Sequence, residues 1–333
     1  MGFETLPFSL LSICIKRTSL RILDHNFGKQ MLCFIWKIKA LLFNTFFIVP
    51  LVFFNIAVQA NANDIRILGP RDKIDPVYSY FVDLTKLVLS KTQHLYPDSK
   101  VVLIPSNRVT QGRSLLLLDK NYLDLVWSGT NIERESRYLP IYFPLFRGLL
   151  GYRVLLIRKE DVGKFSQITT SAQLKELVAC QGAHWPDSDI LEDNGYTVSR
   201  VVHFDAMFKM LSRKRCDYFP RAIFEGFSEQ KAIVSEFENI VLFDDIILHY
   251  NFPFYYFVDK ENIELSKRLI TGLKQSLQDG SFMALMKNHS VSKHLFPLSQ
   301  WKNKRFFELV NGDFDSQTLE NNSHFWLNLE ARE

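Results

Sequence analysis

The chain has 333 residues, 47% apolar, 23% charged and 14% aromatic, with a formal net charge of +4. That composition describes a folded chain of one large or two ordinary domains and excludes a disordered tail, a collagen-like repeat and a disulfide-stapled mini-protein. The positive excess lies in residues 1–62, where six Lys or Arg face only Glu4 and Asp24. The remainder is balanced, so composition gives no reason to expect a nucleic-acid partner.

Residues 31–62 are laid out as a secretory signal peptide. Met31 to Lys39 is a short basic start, Ala40 to Val58 is apolar, and Ala60-Asn61-Ala62 is a small-x-small cleavage site. Asn44, Thr45, Pro50 and Asn55 interrupt the apolar part, which favours cleavage after Ala62 over the alternative of an uncleaved anchor. Residues 1–30 have no place before such a signal; Met31 is the expected initiator and 1–30 a wrongly extended start. Processing then leaves two cysteines, Cys180 and Cys216, each in a strand-like neighbourhood. In an oxidising compartment they either pair or remain two buried thiols.

From Asn63 onward, short apolar runs alternate with helix patterns, as in an α/β fold. Ile65–Leu68 is a first strand. Asp75-Pro76 is a helix start with Asp as cap and Pro at the first helical position, and Val77, Tyr80, Phe81, Leu84, Leu87 and Val88 give one buried face. Val101–Ile104 is a second strand, Arg113–Asp119 a short helix, Leu123–Val126 a third strand and Tyr152–Ile157 a longer one. The pattern then restarts: helix Ser171–Leu177, strand Val178–Cys180, helix Ser188–Asn194 stopped by Gly195, strand Thr197–Val202, and helix Asp205–Arg213 capped by Asp205. Ile246–His249 and Phe254–Val258 are further strands, and Ile263–Gln278 is a long helix ended by Asp279-Gly280. There is no internal repeat or flexible linker.

The stretch Leu123-Asp124-Leu125-Val126-Trp127-Ser128-Gly129-Thr130-Asn131-Ile132-Glu133-Arg134 resembles the signature of the periplasmic solute-binding proteins of ABC importers, in particular the polar amino-acid-binding family. A strand end, hydroxyls, free N–H groups and a guanidinium are suited to a small carboxylate. Phe143-Pro144-Leu145, Tyr152–Ile157, Gln181-Gly182, Arg215-Cys216-Asp217-Tyr218-Phe219, Phe254–Lys260 and Leu277–Phe282 are similar to later family segments in the same order, from about Ile65 to Met286. The resemblance implies a type II periplasmic-binding-protein fold of two α/β lobes joined by two crossing hinge strands. The expected division is 63–156 plus 257–333 for lobe 1 and 157–256 for lobe 2, with the aromatic-rich 290–333 packed on lobe 1. It further implies a monomeric, non-catalytic protein of the periplasm, without cofactor or metal, that carries a small molecule to an ABC permease or membrane sensor.

The departures from the family pattern shape the expected site. The Thr130-to-Arg134 spacing is one residue short, Ala183-His184-Trp185 stands where Thr or Ser binds a carboxylate, and Phe219-Pro220-Arg221 stands where an Asp often binds an ammonium. Gln111 replaces a stacking aromatic, while Trp127 and Trp185 offer flat surfaces from opposite lobes. The expected ligand is therefore anionic or polar, clamped by Arg134 and Arg221, with Tyr78, Gln111, Trp127, Ser128, Thr130, His184, Trp185 and Glu225 around it. Structural roles compete for each: Trp127 as core, Arg134 as a helix-start cation beside Glu133 or Glu135, and Arg221 with Glu225 as a surface pair four apart. Nucleophile-elbow, phosphate-loop, dinucleotide, Cys-x-x-Cys and His-Glu-x-x-His motifs are absent from the sequence. An enzyme on the same scaffold, with Glu225 as acid or base, and an envelope interaction protein using Phe296–Trp326 are the alternatives.

Overall fold

The computed structural model describes residues 63–70, 75–105 and 109–329; the expected signal peptide, its cleavage point and the start at Met31 lie outside the described residues. In the first lobe, β1 (Ile65–Leu68) and β2 (Val101–Ile104) pair in parallel, connected through α1 (Tyr78–Lys91). After α2 (Gln111–Asp119) come β3 (Val126–Gly129), α3 (Ile132–Arg137) and β4 (Leu139–Ile141). The much later β10 (Phe254–Val258) enters between β3 and β4, antiparallel to both.

Asp124 joins the two pieces of this lobe. Its N–H donates to the Arg66 carbonyl, and its carboxylate accepts the Arg66 N–H and guanidinium at 2.7–2.8 Å. Residues 123–125 thus run beside β1, and the third strand begins at Val126 rather than Leu123, where its ladder with β10 begins. The first helix also starts late: Asp75-Pro76 forms a turn, and Tyr78 opens α1 without a side-chain cap. Its buried face packs on α9 (Ile263–Gln278). Gly272 permits that approach, since a Cβ there would stand 2.4 Å from the Val88 carbonyl oxygen.

The second lobe is built on β5 (Tyr152–Arg158), β6 (Val178–Gly182), β7 (Thr197–Val201), β8 (Tyr218–Ala222), β9 (Ile240–His249) and β11 (Arg305–Glu308), in the spatial order β11-β9-β5-β8-β6-β7. Helices α4 (Val162–Ser166), α5 (Ser171–Lys175), α6 (Pro186–Asp193), α7 (Phe204–Ser212) and α8 (Ile223–Ile233) connect its strands. Thr170 caps α5 in a capping box with Gln173, and Gly195, at φ +80°, ends α6 as expected. Asp205 is not the cap of α7, which begins at Phe204. Cys180 and Cys216 form a disulfide with Cα atoms 5.6 Å apart, behind the sheet where β6 lies beside β8.

Two segments cross between the lobes, one entering β5 and one leaving β9 for β10. They touch at Gly151, whose carbonyl accepts the Tyr250 N–H at 3.1 Å; a Cβ on Gly151 would lie 1.9 Å from the Tyr250 oxygen. The C-terminal region departs from the expected allocation of 257–333 to lobe 1. After α10 (Ser281–Asn288), His294 meets the Ile223 carbonyl of α8 at 3.1 Å, and β11 pairs in parallel with β9 on the second sheet. The reason is an open sheet edge: β9 is flanked on one side by β5, and the apolar Phe306-Phe307 supplies the strand for the other. Asn194 then exchanges two hydrogen bonds with Val310, at 2.7 and 2.9 Å. Past α11 (Ser316–Asn321) the chain returns, with Arg147 donating to the His324 and Phe325 carbonyls and Phe325 packed 4.6 Å from Phe143. Trp301 is buried and Trp326 lies over Gly148.

Candidate functional site

A cavity of about 430 Å³ lies between the lobes. The first lobe lines it with Phe81, Gln111, Trp127 and Gly129; the second contributes the turn Gly182–Asp187, the start of α7, and Arg221, Glu225 and Glu229. The crossing segments add Leu150, Arg153, Phe252 and Phe254. Each lobe presents a strand-end glycine covered by a ring. The Phe252 ring comes within 2.3 Å of where a Gly129 Cβ would stand, and the Trp185 indole within 2.3 Å of one on Gly182. On the first wall Trp127 stacks on Phe81 at 4.7 Å, and Phe81 on Phe254 at 5.1 Å.

Of the ten expected ligand residues, Gln111, Trp127, His184, Trp185, Arg221 and Glu225 line the cavity, whereas Tyr78, Ser128, Thr130 and Arg134 stand behind its wall. Tyr78 packs its ring against Trp127 at 5.9 Å, and burial, with Asp75 nearby, pushes its hydroxyl up to about 12. Thr130 is spent on its own helix, donating to Glu135 at 2.6 Å. Ser128 accepts from Arg134 and donates to the Gly129 carbonyl. Asn131 caps α3 by accepting the Arg134 N–H, which fixes where the Arg134 side chain leaves the backbone.

Arg134 is buried among neutral acceptors. Its Nη1 donates to Ser128 Oγ and the Gly129 carbonyl at 2.6 Å and to Gln111 Oε1 at 3.1 Å; its Nη2 crosses to the His184 carbonyl of the other lobe at 2.9 Å. Burial pulls it down to about 10, opposed by the more distant Asp187 and Glu133. The turn Ala183-His184-Trp185 thus offers its backbone to Arg134.

Arg221 has a different setting. Its Nε and Nη2 donate to the two Glu229 oxygens at 2.7 Å each, and Nη2 lies 2.9 Å from Glu225. The guanidinium carbon sits 4.9 Å from the Trp185 ring and 5.0 Å from that of Phe219. Two carboxylates of the chain already hold Arg221. Spacing explains it, because Arg221 ends β8 and Glu225 and Glu229 follow at four-residue steps on one face of α8.

The array continues through Arg153. Its Nη1 is 3.5 Å from Glu225, its Nη2 3.2 Å from Asp187, and its Nε donates to Tyr250 Oη at 3.0 Å. Asp187 also accepts from Gln181 at 2.7 Å. Asp187, Arg153, Glu225, Arg221 and Glu229 therefore alternate in sign along the second wall. Glu229, 3% exposed, is pushed up to about 7 by burial, with Glu225 and Asp75 adding to the shift and Arg221 opposing it. Burial lowers Arg221, but Glu225 and Glu229 outweigh it and the group ends raised.

Arg153, Asp187 and Glu229 were not among the expected residues. A charge inside the apolar strand Tyr152–Ile157 was a signal for the first, and the repeated four-residue step for Glu229; Asp187 carried none beyond its place after Pro186. Among the described residues no group of three or more His, Cys, Asp or Glu could hold a metal ion, and no helix is long and apolar enough to cross a membrane.

No protein-family model matches this sequence, and no curated protein matches it. Solved structures do share its fold. An ancestral arginine-binding protein bound to glutamine is 16% identical with a TM-score of 0.53, over 69% of this chain and 99% of that one. The ancestral amino acid-binding protein AncCDT-1, a precursor of cyclohexadienyl dehydratase, is 15% identical at 0.50, covering 68% and 94%. A histidine kinase sensor domain with similarity to periplasmic binding proteins is 15% identical at 0.50, covering 67% and 93%. The chain has the type II periplasmic-binding-protein fold.

Proposed function

We propose that the protein is a solute-binding protein that captures a small polar molecule in the inter-lobe cleft and presents its closed form to a membrane permease or sensor. One observation carries this reading: the 430 Å³ cavity has one wall from each lobe, so neither lobe alone holds a complete site. Affinity in such a site depends on contacts made only when the lobes are together. The Arg134 bond to the His184 carbonyl is one such contact. The names of the fold neighbours, amino-acid-binding proteins and a kinase sensor domain, agree with capture and leave both kinds of partner open. The role requires export, with Asn63 as the first residue after cleavage at Ala62, and N-terminal sequencing of the exported protein checks this.

A thermal-shift panel of amino acids, dicarboxylates, polyamines, sugar acids and small peptides tests the reading. A solute at 100 times its dissociation constant stabilises the native state by about 2.7 kcal/mol, enough to move a melt. Stabilisation by one class of solute supports capture, and a melt indifferent to all of them counts against it. Chemical conversion of a stabilising solute would replace the reading by that of an enzyme.

A further inference from the structure

We infer that the C-terminal passage from Leu309 to Leu329 is a strap that holds the two lobes against opening. The inference rests on the cleft reading above and adds what keeps the site shut. The sequence supplies two apolar ends, Phe306-Phe307 and Phe325-Trp326, with a largely polar stretch from Asn311 to His324 between them. Burial follows that pattern. Phe307, Leu309, Phe325 and Leu329 are buried, and among the described side chains from Val310 to His324 none is. A segment with buried ends and a solvated middle is held to the body chiefly at its ends.

The two ends belong to different lobes. On the second, β11 lies along β9, the Leu309 N–H donates to the His249 carbonyl at 2.8 Å, and Asn194 pairs with Val310 in both directions. The pairing continues onto the hinge, where Asn311 Nδ2 donates at 2.8 Å to the Asn251 carbonyl in the segment leaving β9. On the first lobe, the Leu327 N–H donates to the Arg147 carbonyl at 2.8 Å, and Arg147 returns bonds to the His324 and Phe325 carbonyls. The backbone is shaped to receive the ring that follows. Arg147 and Gly148 are both left-handed, at φ +51° and +86°, and the Trp326 ring lies 2.2 Å from where a Gly148 Cβ would stand.

Arg147 and Gly148 stand ahead of the other hinge segment, the one that enters β5. The strap therefore links the surroundings of both hinge segments by a path separate from either. A hinge absorbs rotation in a few backbone torsions, and a further covalent path anchored on both lobes adds its own contacts to what must yield. Those contacts and the Arg134 bond to the His184 carbonyl are made in one and the same arrangement of the lobes. Each favours that arrangement over an open one. A larger closed fraction raises the apparent affinity of a site that is complete only when closed.

Amide hydrogen exchange of the full chain, with a protease recognition sequence inserted after Gly312 and measured before and after cleavage, tests the strap. Gly312 is exposed and a Cβ there would meet nothing within 4 Å, so the insertion disturbs no packing. Cleavage severs the path and leaves the side chains of both anchors intact. The facing walls, Thr110–Arg113 and Gly182–Asp187, and the Tyr250 amide at the hinge should then exchange at least about tenfold faster, while the β5 amides keep their protection. The uncut insertion, whose span is only longer, should fall between the unaltered and the cut chain. Walls that exchange alike before and after cleavage overturn the strap. Loss of protection throughout β5 also overturns it, by making the segment a part of the second lobe's core. Neither result bears on solute capture, which the thermal-shift panel judges separately.

Discussion

The two walls of the cleft each contain an arginine that the sequence offers for the same task, and the structure separates them by their partners. Arg134 has neutral acceptors and a bond reaching to the other lobe; Arg221 has Glu225, Glu229 and the faces of Trp185 and Phe204. A guanidinium's role follows from what already satisfies it. With carboxylates in place, Arg221 is part of the wall. Neutral acceptors make Arg134 a fastening between lobes that a closer charge could outcompete.

The comparison can be broken most severely at Arg221. Arg221→Leu leaves the buried Glu229 without its ion-pair partner and should cost about 3–5 kcal/mol in denaturant unfolding. A smaller loss than at Arg134 would reverse the ranking of the two walls. The next effect is read by pH. Glu229 is raised from 4.5 to about 7, so the folded chain keeps a proton that the unfolded chain gives up between those values. Stability without ligand should therefore be fullest at the acid end of that window and fall as pH rises towards 7, by on the order of 3 kcal/mol. Glu229→Gln should remove that slope, and an unchanged slope would mean that another group titrates.

Arg134→Leu leaves only uncharged groups unpaired, and a loss of about 1–3 kcal/mol is expected. That variant should also show faster hydrogen exchange in the His184 turn, because its bond to the other lobe is gone. The smallest change is Gln111→Ala, which removes one 3.1 Å acceptor from Arg134 and should cost about 1 kcal/mol or less, measured by chemical denaturation.

Alternation of apolar strands and helical faces made the fold class legible, and β10 and α9 have the expected bounds to the residue. What local pattern could not carry was tertiary compensation. The Arg66–Asp124 pairing moved the start of β3, and an unfilled edge of β9 recruited β11 from a segment expected elsewhere. The site was half legible for the same reason. Residue types suited to binding were recognised at Gln111, Trp127, His184, Trp185, Arg221 and Glu225, all on the cavity wall. That Thr130 would be spent on Glu135, or Arg221 on Glu229, depends on distances no linear spacing reveals unless the partner is sought at helical intervals.

The C-terminal passage bears on how such a cleft can move. Two strands crossing side by side define an axle, and lobes so joined have one easy rotation. Here the chain is fastened to the second lobe again at His294 and Val310, then to the first-lobe side at Arg147. A body pinned away from its axle loses that rotation unless the outlying pins yield. If the walls part, the span from Val310 to His324 between those fastenings has to accommodate the change.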